Sequence, residues 1–313
     1  MQLYFAPLEG VAGYLYRNAQ IDLFGGADKY FAPFVSPSHN KRMMGKEIRD
    51  ILPENNRQNV KLIPQLLTNN AEYFIKGAKQ IYEMGYDEIN FNAGCPSGTV
   101  VAKGKGAGIL RDTSAMEKFF DEVFGQLEKE KIDLKISVKT RIGVDSSEEF
   151  FELLRIYNQY PFLEIIVHPR TKVQMYKGEP DMSSFEYAYQ NCVNNLCYNG
   201  NIFSVEDYNQ IKEKYNINAV MIGRGILKNP NLFNEIKGKE KISYKQIEKF
   251  HNRLYSEYRQ HVQSEKQVLF KMKEIWNYLS YSFEEQHKCA KLVRKAQSFS
   301  QYEKAVNEIL SEK

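Results

Sequence analysis

The chain has 313 residues, 42% hydrophobic and 26% charged, the balance of a soluble globular protein with a full core. No apolar run approaches the roughly 18 residues that a membrane-spanning helix needs, and MQLYFAPLEG lacks the basic start of a secretory leader, so the expected location is the cytoplasm. The net charge of +4 is uneven: residues 238–313 carry 15 Lys and Arg against 10 Asp and Glu, the rest 28 against 29. The basic excess therefore sits in the C-terminal quarter, as a solvated helical surface or as a nucleic-acid face.

Short apolar runs bounded by turn residues read as buried parallel strands at 2–8, 29–36, 60–67, 88–94, 134–140, 164–169, 195–200 and 219–225. Helical patterns separate most of them; the links between the second and third strands and between the sixth and seventh are weaker. NAEYFIKGAKQIYEMG puts Phe74, Ile75, Ala78, Ile81 and Tyr82 on one face and stops at Gly85. TSAMEKFFDEVFGQLEKE opens at Thr113 or Ser114, with Met116, Phe119, Phe120, Val123 and Leu127 inward. Ser146 with Glu149 forms a capping box for the next helix. Eight strands alternating with helices over about 235 residues predict a (β/α)8 TIM barrel over 1–237. An open doubly wound sheet is the alternative, but PLEGVAG has the wrong spacing for its Gly-rich turn.

Beyond residue 238 no strand-like run remains, and a small helical bundle is expected over 238–313. Its first helix follows a Ser243/Gln246 capping box, with Ile247, Phe250, Leu254 and Tyr258 inward. The second buries Val268, Leu269, Met272, Ile275, Trp276 and Leu279. Two shorter helices fall near 285–297 and, after a Ser300/Glu303 box, 301–311.

A barrel works at the carboxyl ends of its strands. Those ends carry Pro7, Glu9, Gln65, Asn92, Cys95, Lys139, Arg141, His168, Arg170, Asn199, Gly200, Gly223 and Arg224. With one acid among them and no His, Asp or Glu cluster, the set suits an anionic heteroaromatic ligand and no metal. Cys95, Cys192, Cys197 and Cys289 have neither disulfide nor zinc spacing and read as free thiols. NGNI and IGRG are ordinary tight turns or a phosphate site built from backbone N–H groups. Lys139 is a solvent-facing strand end, a Schiff-base amine, or a fixed cation beside a cofactor ring; His168 is a core residue or a site residue. The Gly-rich segment Ala102–Leu110 has the flexibility of a lid, and Lys103 and Lys105 in it are placed to meet phosphates.

APLEGV, PQLL, NAGCPSGTVVAKGKGAGIL, SVKTRIG, VHPRTKVQMYKG, YNGNI and AVMIGRGILKNPNLF occur in the order found in tRNA-dihydrouridine synthases, so the chain resembles that family along the whole barrel. APLEGV and YKG are similar to the bacterial branch acting on position 16. The family departs from this chain near the second strand's end, where many members carry TEMV and this chain has APFVS. The resemblance implies FMN in the barrel mouth, with Pro7 and Gln65 on the isoalloxazine ring and Lys139 and His168 around its ring and ribityl chain. It also implies Asn199, Gly200, Gly223 and Arg224 around the phosphate. Asn92 is expected to meet the target uracil, with Arg170 and Tyr176 on the substrate side, and Cys95 to act as catalytic acid. It further implies tRNA as partner, an RNA-binding C-terminal domain and NADPH or NADH as transient reductant.

The thiol suits that task. Reducing a uracil carbon–carbon double bond takes a hydride and a proton, and a thiol with a pKa near 8.5 is protonated at neutral pH yet able to give its proton up. Three competing readings remain at this level: an FMN-dependent dehydrogenase of a free pyrimidine, a Schiff-base aldolase on Lys139, and an RNA-binding factor with an idle barrel. A monomer is expected.

Overall fold

The computed structural model describes residues 1–38 and 42–311. Eight parallel strands close into a barrel in sequence order: β1 (Gln2–Phe5), β2 (Lys29–Val35), β3 (Leu62–Leu66), β4 (Glu88–Ala93), β5 (Lys135–Arg141), β6 (Glu164–His168), β7 (Leu196–Tyr198) and β8 (Ala219–Ile222), with β8 pairing β1. All eight expected strands are present, and most expectations overran at the carboxyl ends, where the chain leaves the ladder to form loops. Pro33 falls within β2, where the register with β3 shifts between Phe31 and Phe34; proline has no N–H to give the ladder.

Tyr4, Ala6, Phe31, Ile63, Ile166, Cys197, Ala219 and Met221 form one buried cluster, the packed interior of the barrel. Among the helices, α1 is Tyr14–Leu23, α2 Ala71–Glu83, α3 Thr113–Lys129, α4 Glu149–Tyr157, α5 Met182–Asn191 and α6 Val205–Lys214. Asn70 caps α2 by accepting from the Tyr73 N–H, and Gly85 takes φ +93° beyond its end. Phe74, Ala78 and Ile81 are buried as expected, but Tyr82 is 44% exposed; Gly77 and Gln80 take the inner face instead. At α4 the expected box is only half formed. Glu149 accepts from the N–H groups of Val144, Asp145 and Ser146, whereas the Ser146 hydroxyl accepts from Glu148, and the helix starts at Glu149.

The chain divides into two compact units. The first holds Met1–Pro7, Asp28–Asn201 and Ile211–Ile222, and with them every strand. The second holds Leu8–Ala27, Ile202–Gln210 and Gly223–Lys313, where the sequence pattern placed a boundary at 237/238. In the second unit, α7 (Tyr244–His261), α8 (Glu265–Leu279), α9 (Gln286–Lys295) and α10 (Phe299–Ser311) form the bundle. Its Ser243/Gln246 capping box is complete. α1 belongs here because Tyr16 and Phe24 set their ring edges against Phe250 of α7, with centroids 5.4 and 5.5 Å apart. The α10 cap is Ser298, whose hydroxyl accepts from the Gln301 N–H. Ser300 lies inside the helix, and Glu303 accepts from the Tyr255 hydroxyl instead.

Candidate active site

Strand register decides which strand-end groups are neighbours. Asn92 of β4 pairs with Lys139 of β5, and Arg141 of β5 pairs with His168 of β6. Within β4, Asn90 and Asn92 share one face, as every second residue must. Polar side chains buried on one face of a strand need partners, and a chain of amides supplies them. Asn92 Nδ2 donates to Gln65 Oε1 at 2.7 Å, Gln65 Nε2 to Asn90 Oδ1 at 2.7 Å, and Asn90 Nδ2 to Ser137 Oγ at 2.9 Å. Ser137 ends the chain on the Ile89 carbonyl at 3.3 Å. Every donor points the same way, which fixes the orientation of all three amides.

This chain ends on the thiol's loop. Asn92 Oδ1 accepts from the N–H of Gly94 at 3.1 Å and of Cys95 at 2.9 Å. The Cys95 carbonyl accepts from Ala107 N–H at 3.0 Å. Gly106 has φ +57°, and a Cβ there would meet Cys95 O at 2.7 Å and Cys95 Cβ at 2.9 Å, so only glycine lets this segment close on the cysteine. Residues 106–110 are buried. The second half of the Gly-rich segment is thus packed against the cysteine's loop, where a flexible lid was expected, while Ala102 and Lys103 in its first half are exposed; Gly106 serves close backbone approach.

Cys95 itself is half-buried, as is Cys192, while Cys197 and Cys289 are buried. Burial pushes the Cys197 thiol well above its ordinary range and raises that of Cys192, in keeping with inert thiols.

Lys139 is partly buried, and among the described residues none hydrogen-bonds its amino group. Burial, and then the Arg141 guanidinium, pull its pKa down to about 7. A cation so placed gains from an anionic neighbour.

Arg170 is fully buried. Its Nη1 lies 3.1 Å from His168 Nε2, and a guanidinium only donates, so His168 accepts there and carries its proton on Nδ1. Arg170 Nη2 donates to Gly178 O at 2.6 Å and Asn201 Oδ1 at 3.2 Å, and Nε to Lys177 O at 3.3 Å. Expected on the substrate side, Arg170 spends its donors on the protein and shapes the loop bearing Tyr176. Tyr176 is 46% exposed, its ring 6.0 Å from that of His168 and 5.6 Å from the Arg141 guanidinium.

Asn199 is buried and donates to the Met221 carbonyl at 2.8 Å. A Cβ at Gly200 would run into the Tyr198 hydroxyl, so the missing side chain there makes room for a tyrosine. Pro7 follows β1 and is half-buried; Lys103 is exposed and Lys105 half-buried. Gly223 and Arg224 belong to the second unit. There Gly223 precedes the short helix Arg224–Lys228, and the Arg224 guanidinium lies 5.5 Å from the Phe203 ring.

Residue patterns gave no role to Asn90, Ser137 or Gly106. The readable signal was INFN: two asparagines two apart in an otherwise apolar strand imply an internal polar chain.

The donor set fits a flat, anionic cofactor: a lysine whose amino group makes no hydrogen bond among the described residues, amides with spare donor and acceptor capacity, and an imidazole. Among the described residues no group of three or more His, Cys, Asp or Glu is placed to hold a metal. A closed parallel barrel with such groups at its strand ends is a (β/α)8 barrel protein with an enzyme's mouth. The family model for dihydrouridine synthase (Dus) matches residues 5–312, and the chain belongs to that family. It is similar to the tRNA-dihydrouridine(16) synthases of Shigella flexneri and Escherichia coli (strain K12), each 32% identical over 248 residues, covering 77% of this chain and 76% of those proteins. In fold it is similar to the old yellow enzyme from Trypanosoma cruzi, with a TM-score of 0.54 and 11% identity over 80% of this chain and 92% of that one.

Proposed function

We propose that this chain reduces a uridine of tRNA to 5,6-dihydrouridine, and that Cys95 is the proton donor. Bound FMN supplies the hydride, with NADPH or NADH as its reductant. The carrying observation is the thiol itself, on a loop at the end of β4 held by Asn92, Ala107 and Gly106. A proton donor must stand rigidly over one carbon, and this one is fixed through backbone bonds on both sides.

Lys139 serves as the fixed cation of the cofactor site, since in the ligand-free protein its charge is the costly form and a reduced, anionic ring restores it. Gln65 offers the ring its second amide hydrogen and lone pair, and His168 is proposed beside the ring and ribityl chain. Pro7, Asn199, Gly200, Gly223 and Arg224 are the remaining proposed cofactor contacts. Asn92 orients the thiol and leaves one amide hydrogen for the uracil, with Tyr176 beside it.

The RNA face is proposed on the second unit. On α9, Lys291, Arg294 and Lys295 are exposed, and among the described residues no carboxylate pairs with them; Lys288 pairs with Glu285 at 2.8 Å. Such a stripe supports phosphate contacts, which offset the few kcal/mol needed to splay a base from its stack. Lys103 and Lys105 are proposed to add to it.

Relatives named for position 16 support uridine 16 as the target. No helix among the described residues is long and apolar enough to cross a membrane, and we assign the protein to the cytoplasm as a monomer. Nucleoside mass spectrometry of tRNA from cells lacking the protein, mapped by position, tests the assignment: dihydrouridine disappears at position 16. Unchanged dihydrouridine at every position contradicts it.

A further inference from the structure

We propose that Arg141 is a positioning residue for the Cys95 thiol and acts through the carbonyl of Gly94; this rests on Cys95 as proton donor. The peptide unit between Gly94 and Cys95 is gripped at both ends. Its oxygen accepts from Arg141 Nε at 2.9 Å, and its N–H donates to Asn92 Oδ1 at 2.9 Å. A peptide is planar, so holding its oxygen and its hydrogen fixes the plane and the Cys95 N–Cα bond in it; the Ala107 N–H on the Cys95 carbonyl then limits rotation about that bond, and the two together aim the Cα–Cβ bond that carries the sulfur.

Arg141 is 1% exposed, and its Nη1 also donates to the Thr171 carbonyl at 2.8 Å. The guanidinium is flat and presents its donors at fixed angles. One side chain therefore sets the spacing between the loop after β4, which carries the thiol, and the loop after β6, which carries Tyr176. A lysine would reach one carbonyl and leave the other loose. Burying a cation is costly, and here it also works against the charge of Lys139. A barrel built for stability alone would place an apolar residue there. The cost makes sense where the orientation of one peptide governs a proton transfer.

The test uses the full chain with flavin bound. Arg141→Lys is expected to keep the flavin, to keep its reduction by NADPH and the KM for tRNA within about two-fold, and to slow oxidation of the reduced flavin by tRNA about 10- to 100-fold. In a Cys95→Ala background the same substitution should change that rate by less than about two-fold, because the group it orients is gone. In the flavin-free protein, alkylation of Cys95 by iodoacetamide should rise several-fold, with Cys192 as internal control. Equal slowing in both backgrounds, no slowing, unchanged alkylation, or loss of flavin or fold in Arg141→Lys overturns the proposal; the last would make Arg141 a support for the whole barrel mouth. Should tRNA fail to oxidise the reduced wild-type protein, the proposed function fails, and the alkylation arm alone decides the role of Arg141.

Discussion

Replacing Asn92 by alanine removes three hydrogen bonds at once: those from the Gly94 and Cys95 N–H groups and that to Gln65 Oε1. Gln65 is 1% exposed, so its stranded oxygen bears the full desolvation cost, about 1–3 kcal/mol. The two N–H groups are half-buried and add about 0.5 kcal/mol each, for a total of about 3 kcal/mol. Asparagine to aspartate is different. A carboxylate still accepts from both N–H groups, and the amide chain can reverse. Gln65 flips to donate to residue 92, Asn90 flips to donate to Gln65, and the Ser137 hydroxyl turns from Ile89 O to Asn90 Oδ1. The reversed chain forfeits one bond, the 3.3 Å contact to Ile89 O, worth about 1 kcal/mol. Thermal melts of the flavin-free proteins should thus rank wild type above Asn92→Asp and Asn92→Asp above Asn92→Ala. At about 2 °C per kcal/mol for a chain of this size, the alanine variant falls by about 6 °C. Equal losses in the two variants, or an alanine cost below about 1 kcal/mol, would refute the directed chain.

Flavin binding should take up a proton under mildly alkaline conditions, because the Lys139 amine, with a pKa of about 7 in the free site, regains its charge beside an anion. Calorimetry in buffers of different ionisation enthalpy measures this, and Lys139→Met should abolish it. In the helical unit Trp276 Nε1 donates to the Tyr302 oxygen at 2.9 Å; His251 Nδ1 donates to Asn252 Oδ1 at 2.9 Å, so in the neutral imidazole Nε2 accepts from the Tyr302 hydroxyl at 2.7 Å. Burial lowers the His251 pKa to about 4 from an ordinary 6.5. The unfolded chain binds the proton more readily, so this stability is fully present above about pH 6.5 and is lost as pH falls towards 4. His251→Gln should flatten that slope in melts followed across this range. Reversing Lys291 and Arg294 to Glu should weaken tRNA binding and reduce the salt slope by about one unit per lost phosphate contact, leaving flavin affinity unchanged. These substitutions test the RNA face more cleanly than cutting the chain at 238, which would strip Phe250 from Tyr16 of α1 and from Phe24 just beyond that helix.

The barrel was legible because each strand is a short apolar run and the ends of such runs are where a parallel barrel does its chemistry. Cys95, Lys139 and His168 could be singled out by that rule alone. What stayed hidden depends on three-dimensional partners. Nothing in the spacing of Tyr14–Leu23 shows that this helix packs on α7 in the second unit. The swap of Ser300 for Ser298 as the α10 cap turns on which hydroxyl meets a free N–H, a matter of two residues that composition does not resolve. Gly106 looked flexible because glycine permits flexibility and close packing alike; only the position of Cys95 beside it decides between them. The resemblance placed Arg170 on the substrate side; its burial, and the carbonyls that accept from it, are properties of a folded loop that no motif displays.

The most direct measurement is anaerobic stopped-flow mixing of the pre-reduced protein with unmodified tRNA, followed by the return of flavin colour. Wild type should recolour, and the tRNA should gain two hydrogens at one uridine. Cys95→Ala should bind flavin and tRNA, accept electrons from NADPH as before, and recolour about 100-fold or more slowly. A Cys95→Ala protein that reoxidises with tRNA at the wild-type rate would show that the proton comes from another group.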